Sequence, residues 1–198
     1  TLAALAALAA LACAEPADFE AHLPRTTWGV PAFDEPGGWK AWMQSLAAAG
    51  YAGVEAPTWL VCGVPDFSAF GCEHECDAAR AATFRAALDE SGLYYIAQVH
   101  TCGYPIASGE VGDHVASLEA LARLAAGTLG AALANVHGGC DWWGDAPRAE
   151  FFARAAAVEA AVGLPLSHET HRMRALATPW AAASVLLPGG AAAGALAA

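Results

Sequence analysis

Leu166-Ser167-His168-Glu169-Thr170-His171-Arg172, led in by Val162-Gly163-Leu164-Pro165, is the stretch on which the reading of the fold turns. Glycine and proline followed by a short apolar run mark a helix end and then a buried strand. Here the run passes without a break into polar and ionisable residues. Side chains alternate along a strand, so Ser167, Glu169 and His171 share one face, and His168, Thr170 and Arg172 the other. A carboxylate and an imidazole on one face of a strand end form a metal or acid/base constellation where that face looks into a cavity. The plainer alternative is a solvated strand end with a charged tip. The zinc-protease signature does not apply, because it needs His-Glu-x-x-His on a helix with histidines four apart. These histidines are three apart and follow a strand.

Working outward, the same unit recurs upstream. Asp145, with Pro147 just inside, opens a helix through Ala161 that Gly163 closes. Before it, Leu129 to Val136 reads as a strand running into His137-Gly138-Gly139. Asp113 caps a helix to about Ala126, closed by Gly127. Leu93 to Thr101 is the clearest strand in the chain and contains His100. A helix from about Ala78 to Glu90 is closed by Gly92, and Thr58 to Asp77 reads as irregular. Tyr51 to Pro57 is a short strand ending at Glu55. Gly38 to Ala49 is helical, with apolar residues at Trp39, Trp42, Met43 and Leu46 and a stop at Gly50. Arg25 to Val30 is a first strand.

The repeated order is helix, glycine stop, apolar strand, ionisable residue at the strand's C-terminal end, the last being Glu55, His100, His137 and Glu169. Strands alternating with helices imply right-handed crossovers and a parallel sheet, whose site lies at the C-terminal strand ends. Two residues before three of these positions stand Gln98, Asn135 and Ser167, so one face of each strand is polar near its end. That suits a barrel mouth better than a doubly wound sheet, which is covered by helices on both faces. All four ionisable residues are expected to meet in one concavity.

The 198 residues suffice for one domain with a substantial core. Hydrophobic residues make up 57% and mean hydropathy is +0.37, much of it from alanine, so the core must rest on Leu, Val, Trp and Phe. A net charge of −11 with nine Lys and Arg argues against a nucleic-acid partner. Six cysteines without a paired framework predict mostly reduced thiols and a cytoplasmic protein. Cys72-Glu73-His74-Glu75-Cys76 lacks structural-zinc spacing and reads as a variable loop. Residues 1–24 are an Ala/Leu-rich extension, too short in its apolar part to span a bilayer, and either a targeting remnant or a plain alanine-rich helix. Residues 25–180 form the folded unit, and 181–198 read as a low-complexity Ala/Gly-rich tail. His22 and His114 are expected to be structural or exposed, and His168 to face away from the site.

With Gly53-Val54-Glu55, Gln98-Val99-His100-Thr101, Asn135-Val136-His137-Gly138-Gly139 and His168-Glu169-Thr170-His171-Arg172 in this order, the chain resembles the xylose isomerase-like TIM-barrel superfamily over roughly Arg25 to Trp180. The resemblance implies an α/β fold of the (β/α)8 TIM-barrel type, incomplete, with about five βα units. It implies a sugar or sugar-phosphate isomerase or epimerase that moves a proton between adjacent carbons with a divalent metal, Mn²⁺, Mg²⁺ or Zn²⁺, at the barrel mouth. Glu169 matches the family's fifth-strand metal ligand, and His137 joins it in the catalytic and metal-binding role. Glu55 and His100 are the implied substrate contacts. From the residues themselves, Trp142 just after His137 suits either stacking on a sugar ring or a hydrophobic cover at the barrel mouth, and Arg172 and Arg174 either a substrate phosphate or a surface ion pair. The family's later Asp, His and Glu ligands have no counterpart after Pro179-Trp180, so metal binding is expected to be weak. The implied partner is a small sugar or sugar phosphate, with neither nucleic acid nor membrane. An endonuclease IV-like metal-dependent phosphodiesterase and a non-catalytic fragment of the family are the alternatives.

Overall fold

The computed structural model describes residues 24–28, 38–64 and 76–187. Five strands, β1 (Thr26–Trp28), β2 (Gly53–Pro57), β3 (Tyr94–His100), β4 (Leu133–His137) and β5 (Leu166–His168), lie in one sheet in the order in which they occur in the chain. Every neighbouring pair is parallel. The expected α/β class with a parallel sheet is therefore present, and each crossover moves one strand further in the same direction.

Helices α1 (Trp39–Ala48), α2 (Thr58–Cys62), α3 (Ala78–Ser91), α4 (Val111–Arg123), α5 (Asp145–Val162) and α6 (Pro179–Leu186) connect and follow the strands. Three expected glycine stops are in place, with Gly50, Gly92 and Gly163 at positive φ, the conformation that glycine adopts without strain. Asp77 begins α3 by accepting from the backbone N–H of Ala79 and Arg80 at 2.9 Å. One core packs the helices on one face of the sheet. Trp39 meets Phe84 edge to face at 5.3 Å, and Phe84 meets Tyr95 at 4.9 Å. Val54, Ala97, Val99, Ala134 and Val136 lie fully buried beneath helix residues such as Met43, Leu118 and Phe151. Tyr95 buries its ring there because its hydroxyl donates to the Ala56 carbonyl at 2.8 Å.

Several expectations are corrected. The stretch read as irregular from Thr58 begins with α2, whose Thr58 hydroxyl donates to the Gln98 carbonyl at 3.2 Å. Asp113 is not the cap of α4 but lies in its first turn, where its carboxylate accepts from the Ser108 hydroxyl at 2.6 Å. Gly127 does not end that helix. The chain widens into a π-helical turn, Leu124–Leu129, and stops at Gly130, an outcome that keeps Ala125 and Leu129 fully buried. Burial of those two side chains outweighs the local preference of one glycine. Helix α6, capped by the Thr178 hydroxyl accepting from the Ala181 N–H at 3.1 Å, crosses the expected boundary at residue 180.

The cysteine reading is also corrected in part. Cys62, at the end of α2, is disulfide-bonded to Cys76, just before α3, whereas Cys102 and Cys140 are buried thiols outside any disulfide. Of the Cys72 to Cys76 cluster, residues 72–75 lie outside the described residues, as do His22, nearly all of the expected N-terminal extension, and the tail beyond residue 187. Among the described residues, no helix is long and apolar enough to cross a membrane.

Candidate active site

The face of the sheet opposite the helices carries polar side chains on successive rungs near the strands' C-terminal ends. Parallel register sets Glu55 opposite Ile96, Gln98 opposite Pro57 and Asn135, Ser167 opposite Asn135, and His100 opposite His137. Glu169 continues the row just past β5, where its N–H donates to the Val136 carbonyl at 3.1 Å. These positions are two residues apart on each strand, so the pleat turns them to one side.

A ladder of hydrogen bonds joins them. Glu55 Oε1 accepts from Gln98 Nε2 at 3.0 Å and from Asn135 Nδ2 at 2.9 Å. The same Asn135 nitrogen donates to Glu169 Oε2 at 2.6 Å, the short range of a charge-assisted bond. Ionised carboxylates only accept, so the amide must turn its NH₂ end toward both. Glu169 Oε2 also lies 3.2 Å from His137 Nε2. Neither ring nitrogen of His137 has a hydrogen-bond partner, so this contact lies off the line that an N–H would need. His100 stacks on His137 with centroids 4.2 Å apart and planes 22° apart, and His171 meets His137 edge-on at 4.8 Å.

Burial sets the charge state. His137 is 3% exposed, and desolvation lowers its pKa to about 4; Glu169 raises it, while His171 and Arg174 lower it further. His100 is pushed down to about 2, by burial first and then by the positive charges that His137, Arg174 and His171 can carry. Both rings are therefore neutral near pH 7. The His171 Nδ1 lies 2.8 Å from the Arg172 carbonyl. A carbonyl only accepts, so Nδ1 is the donor in this bond.

The loops that follow the strands are tied together beyond the strands' C-terminal ends. Arg174 is fully buried and donates from Nη1 to the Thr101 carbonyl at 2.8 Å and from Nη2 to the Gly103 carbonyl at 2.6 Å. The Ala175 N–H donates to the Gly138 carbonyl at 3.0 Å, and the Gly139 N–H to the Thr101 hydroxyl at 3.3 Å. His114 is buried in the same layer, between the Thr101 hydroxyl and the Ser108 carbonyl. Its structural reading stands. Burial also lowers its pKa to about 4.

The structure thus brings Glu55, His100, His137 and Glu169 together. Glu55 is not at the end of its strand, however, but in the middle of β2, two rungs below His100 and His137. Trp142 is exposed, while its neighbour Trp143 turns inward and donates from Nε1 to the Gly109 carbonyl at 2.7 Å. The Arg172 side chain is exposed, and it is the Arg172 backbone that meets His171. Arg174 is no phosphate ligand as placed, since both terminal nitrogens are spent on backbone carbonyls in the interior. His168 faces the helix layer, 4.9 Å edge-on to Phe152, and burial lowers its pKa to about 4. The bridging role of Asn135 was not legible in the sequence, where only its polarity two residues before His137 marked it.

The divalent metal that the resemblance implies needs at least three protein ligands. Glu169 and His137 offer two, and among the described residues no group of three His, Cys, Asp or Glu side chains is placed to hold an ion. The residues present do not by themselves fit the metal. Comparison with protein families and with curated proteins gives no match.

Proposed function

We propose that the chain is of the sugar isomerase/epimerase type and that its polar sheet face binds a polyhydroxylated small molecule. We read the architecture as a (β/α)8 barrel type with five of its units described. Sequential strand order and helices packed on one face support this reading, because a doubly wound sheet reverses its order and is covered on both sides. The single observation that carries the functional reading is the Glu169 carboxylate 3.2 Å from the neutral His137 imidazole. Moving a proton between adjacent carbons requires a base at carbon and a partner that exchanges a proton at oxygen. Glu169, with 37% of its side chain exposed, can reach a bound molecule as the base. His137, held neutral by burial, can exchange the proton at oxygen, and His100 and Glu55 keep the two in place. Both Asn135 hydrogens are used by the carboxylates, so its amide oxygen, together with Glu55 and with the amide oxygen and second N–H of Gln98, is what remains to pair with sugar hydroxyls.

The test is ligand-observed NMR of the 198-residue chain with a panel of aldoses, ketoses and their phosphates. At least one aldose–ketose pair should bind, and Glu169→Gln should weaken it about tenfold, the loss of one charge-assisted hydrogen bond. Absence of any sugar binding, or equal binding by Glu169→Gln, would overturn the reading. Three imidazole rings in contact favour one second reading, a metal-dependent phosphodiesterase. Zn²⁺-dependent cleavage of a simple phosphodiester, without sugar binding, would select it.

A further inference from the structure

We propose that the Asn135 amide takes the place of a divalent cation between the carboxylates of Glu55 and Glu169, holding them as a metal-free pair. Two carboxylates that approach one another repel, and such pairs are usually relieved by a shared proton, a basic side chain or a metal ion. Here a single nitrogen lies 2.9 Å from Glu55 Oε1 and 2.6 Å from Glu169 Oε2, so each of its two hydrogens serves one carboxylate. Gln98 Nε2 adds a second N–H to Glu55. The buried guanidinium nearest in role, Arg174, spends its terminal nitrogens on Thr101 and Gly103 instead. Neutral amides thus do the work that a cation would do, and the nitrogen fills the point where an ion would sit. A resident metal on Glu169 would have to displace that bond or bind on the far side of the carboxylate.

Asparagine and aspartate have the same shape, which makes the exchange a direct test. Asn135→Asp replaces two donors by acceptors and leaves three carboxylates converging on one point, an oxygen set suited to a hard divalent ion. Calorimetric titration of the full 198-residue chain with MnCl₂ at neutral pH reads the result. Wild type should show no stoichiometric site tighter than millimolar. Asn135→Asp should gain one site at least about 100-fold tighter, because a third oxyanion at the centre supplies attraction that an amide opposes. A purely structural role for Asn135 would lose stability and gain nothing. Adding Glu169→Gln to Asn135→Asp should abolish the new site, which locates it.

A micromolar Mn²⁺ site in wild type would overturn the proposal, and so would a folded Asn135→Asp chain with unchanged Mn²⁺ affinity. Should Asn135→Asp fail to fold, Asn135→Ala takes over. It leaves the two carboxylates with no amide between them and should gain about tenfold in Mn²⁺ affinity; no gain would count against the proposal equally. The measurement involves no sugar, so its outcome is independent of the proposed function.

Discussion

Alternation along β5 sends two neighbouring ionisable residues to opposite environments, Glu169 to the polar face and His168 against Phe151 and Phe152. That much was legible from the order of residues alone, since a strand has period two. What Asn135 does was not legible. Its two bonds span 80 and 34 residues of sequence, and they exist only because β2, β4 and β5 lie within reach at one register. A consequence of burial can be measured at His168, whose Nδ1 is buried without a partner and whose pKa is lowered from 6.5 to about 4. The unfolded chain takes up that proton as pH falls through about 6.5, whereas the folded chain does so only near 4. Stability that is present above pH 6.5 is therefore lost between pH 6.5 and 4. His168→Leu should leave the urea midpoint at pH 7 nearly unchanged and recover about 1–2 kcal/mol of the loss seen at pH 5. An acid limb as steep in His168→Leu as in wild type would place the sensitivity elsewhere, in His100, His114 or His137.

Elements bounded by glycine were read well where nothing competed, as at α1, α3 and α5. They were misread where a distant contact decided the outcome. The π-helical turn runs through Gly127 because Leu129 is buried further on, and α2 is too short for any periodicity to announce it. Two glycines with almost the same backbone angle separate these influences. Gly163 has φ +72 with open space where a Cβ would go. Gly139, with φ +67, follows β4, and a Cβ there would lie 2.4 Å from Trp143 Cζ3 and 2.7 Å from the Ala175 Cβ. Gly163→Ala should cost about 1 kcal/mol, the left-handed backbone penalty alone. Gly139→Ala adds overpacking against a methyl group that cannot rotate away, for about 2–4 kcal/mol in total. Equal shifts of the two urea midpoints would show that the loop after β4 is looser than its contacts indicate.

At the scale of the whole molecule, the recurring helix–strand unit was enough to anticipate a parallel sheet, because right-handed crossovers leave few other arrangements. The pairing of Cys62 with Cys76 was hidden. Their 14-residue separation fits no framework, and only the placement of the end of α2 beside the start of α3 brings the two sulfurs together. Arg174, buried among the loops past the strand ends, has a further consequence for motion. Residues 101–103, 138–139 and 174–175 belong to three loops remote in sequence, yet each is bonded to the other two, Gly139 and Arg174 to the first and Ala175 to Gly138. No one of these loops can swing open without breaking bonds in the other two. Their amide protons should consequently exchange with solvent at one common opening free energy, as a single cooperative unit. In Arg174→Met that shared value should split into separate, lower ones for the three loops, while the amides of Tyr95 and Ala97 in the middle of β3 keep theirs.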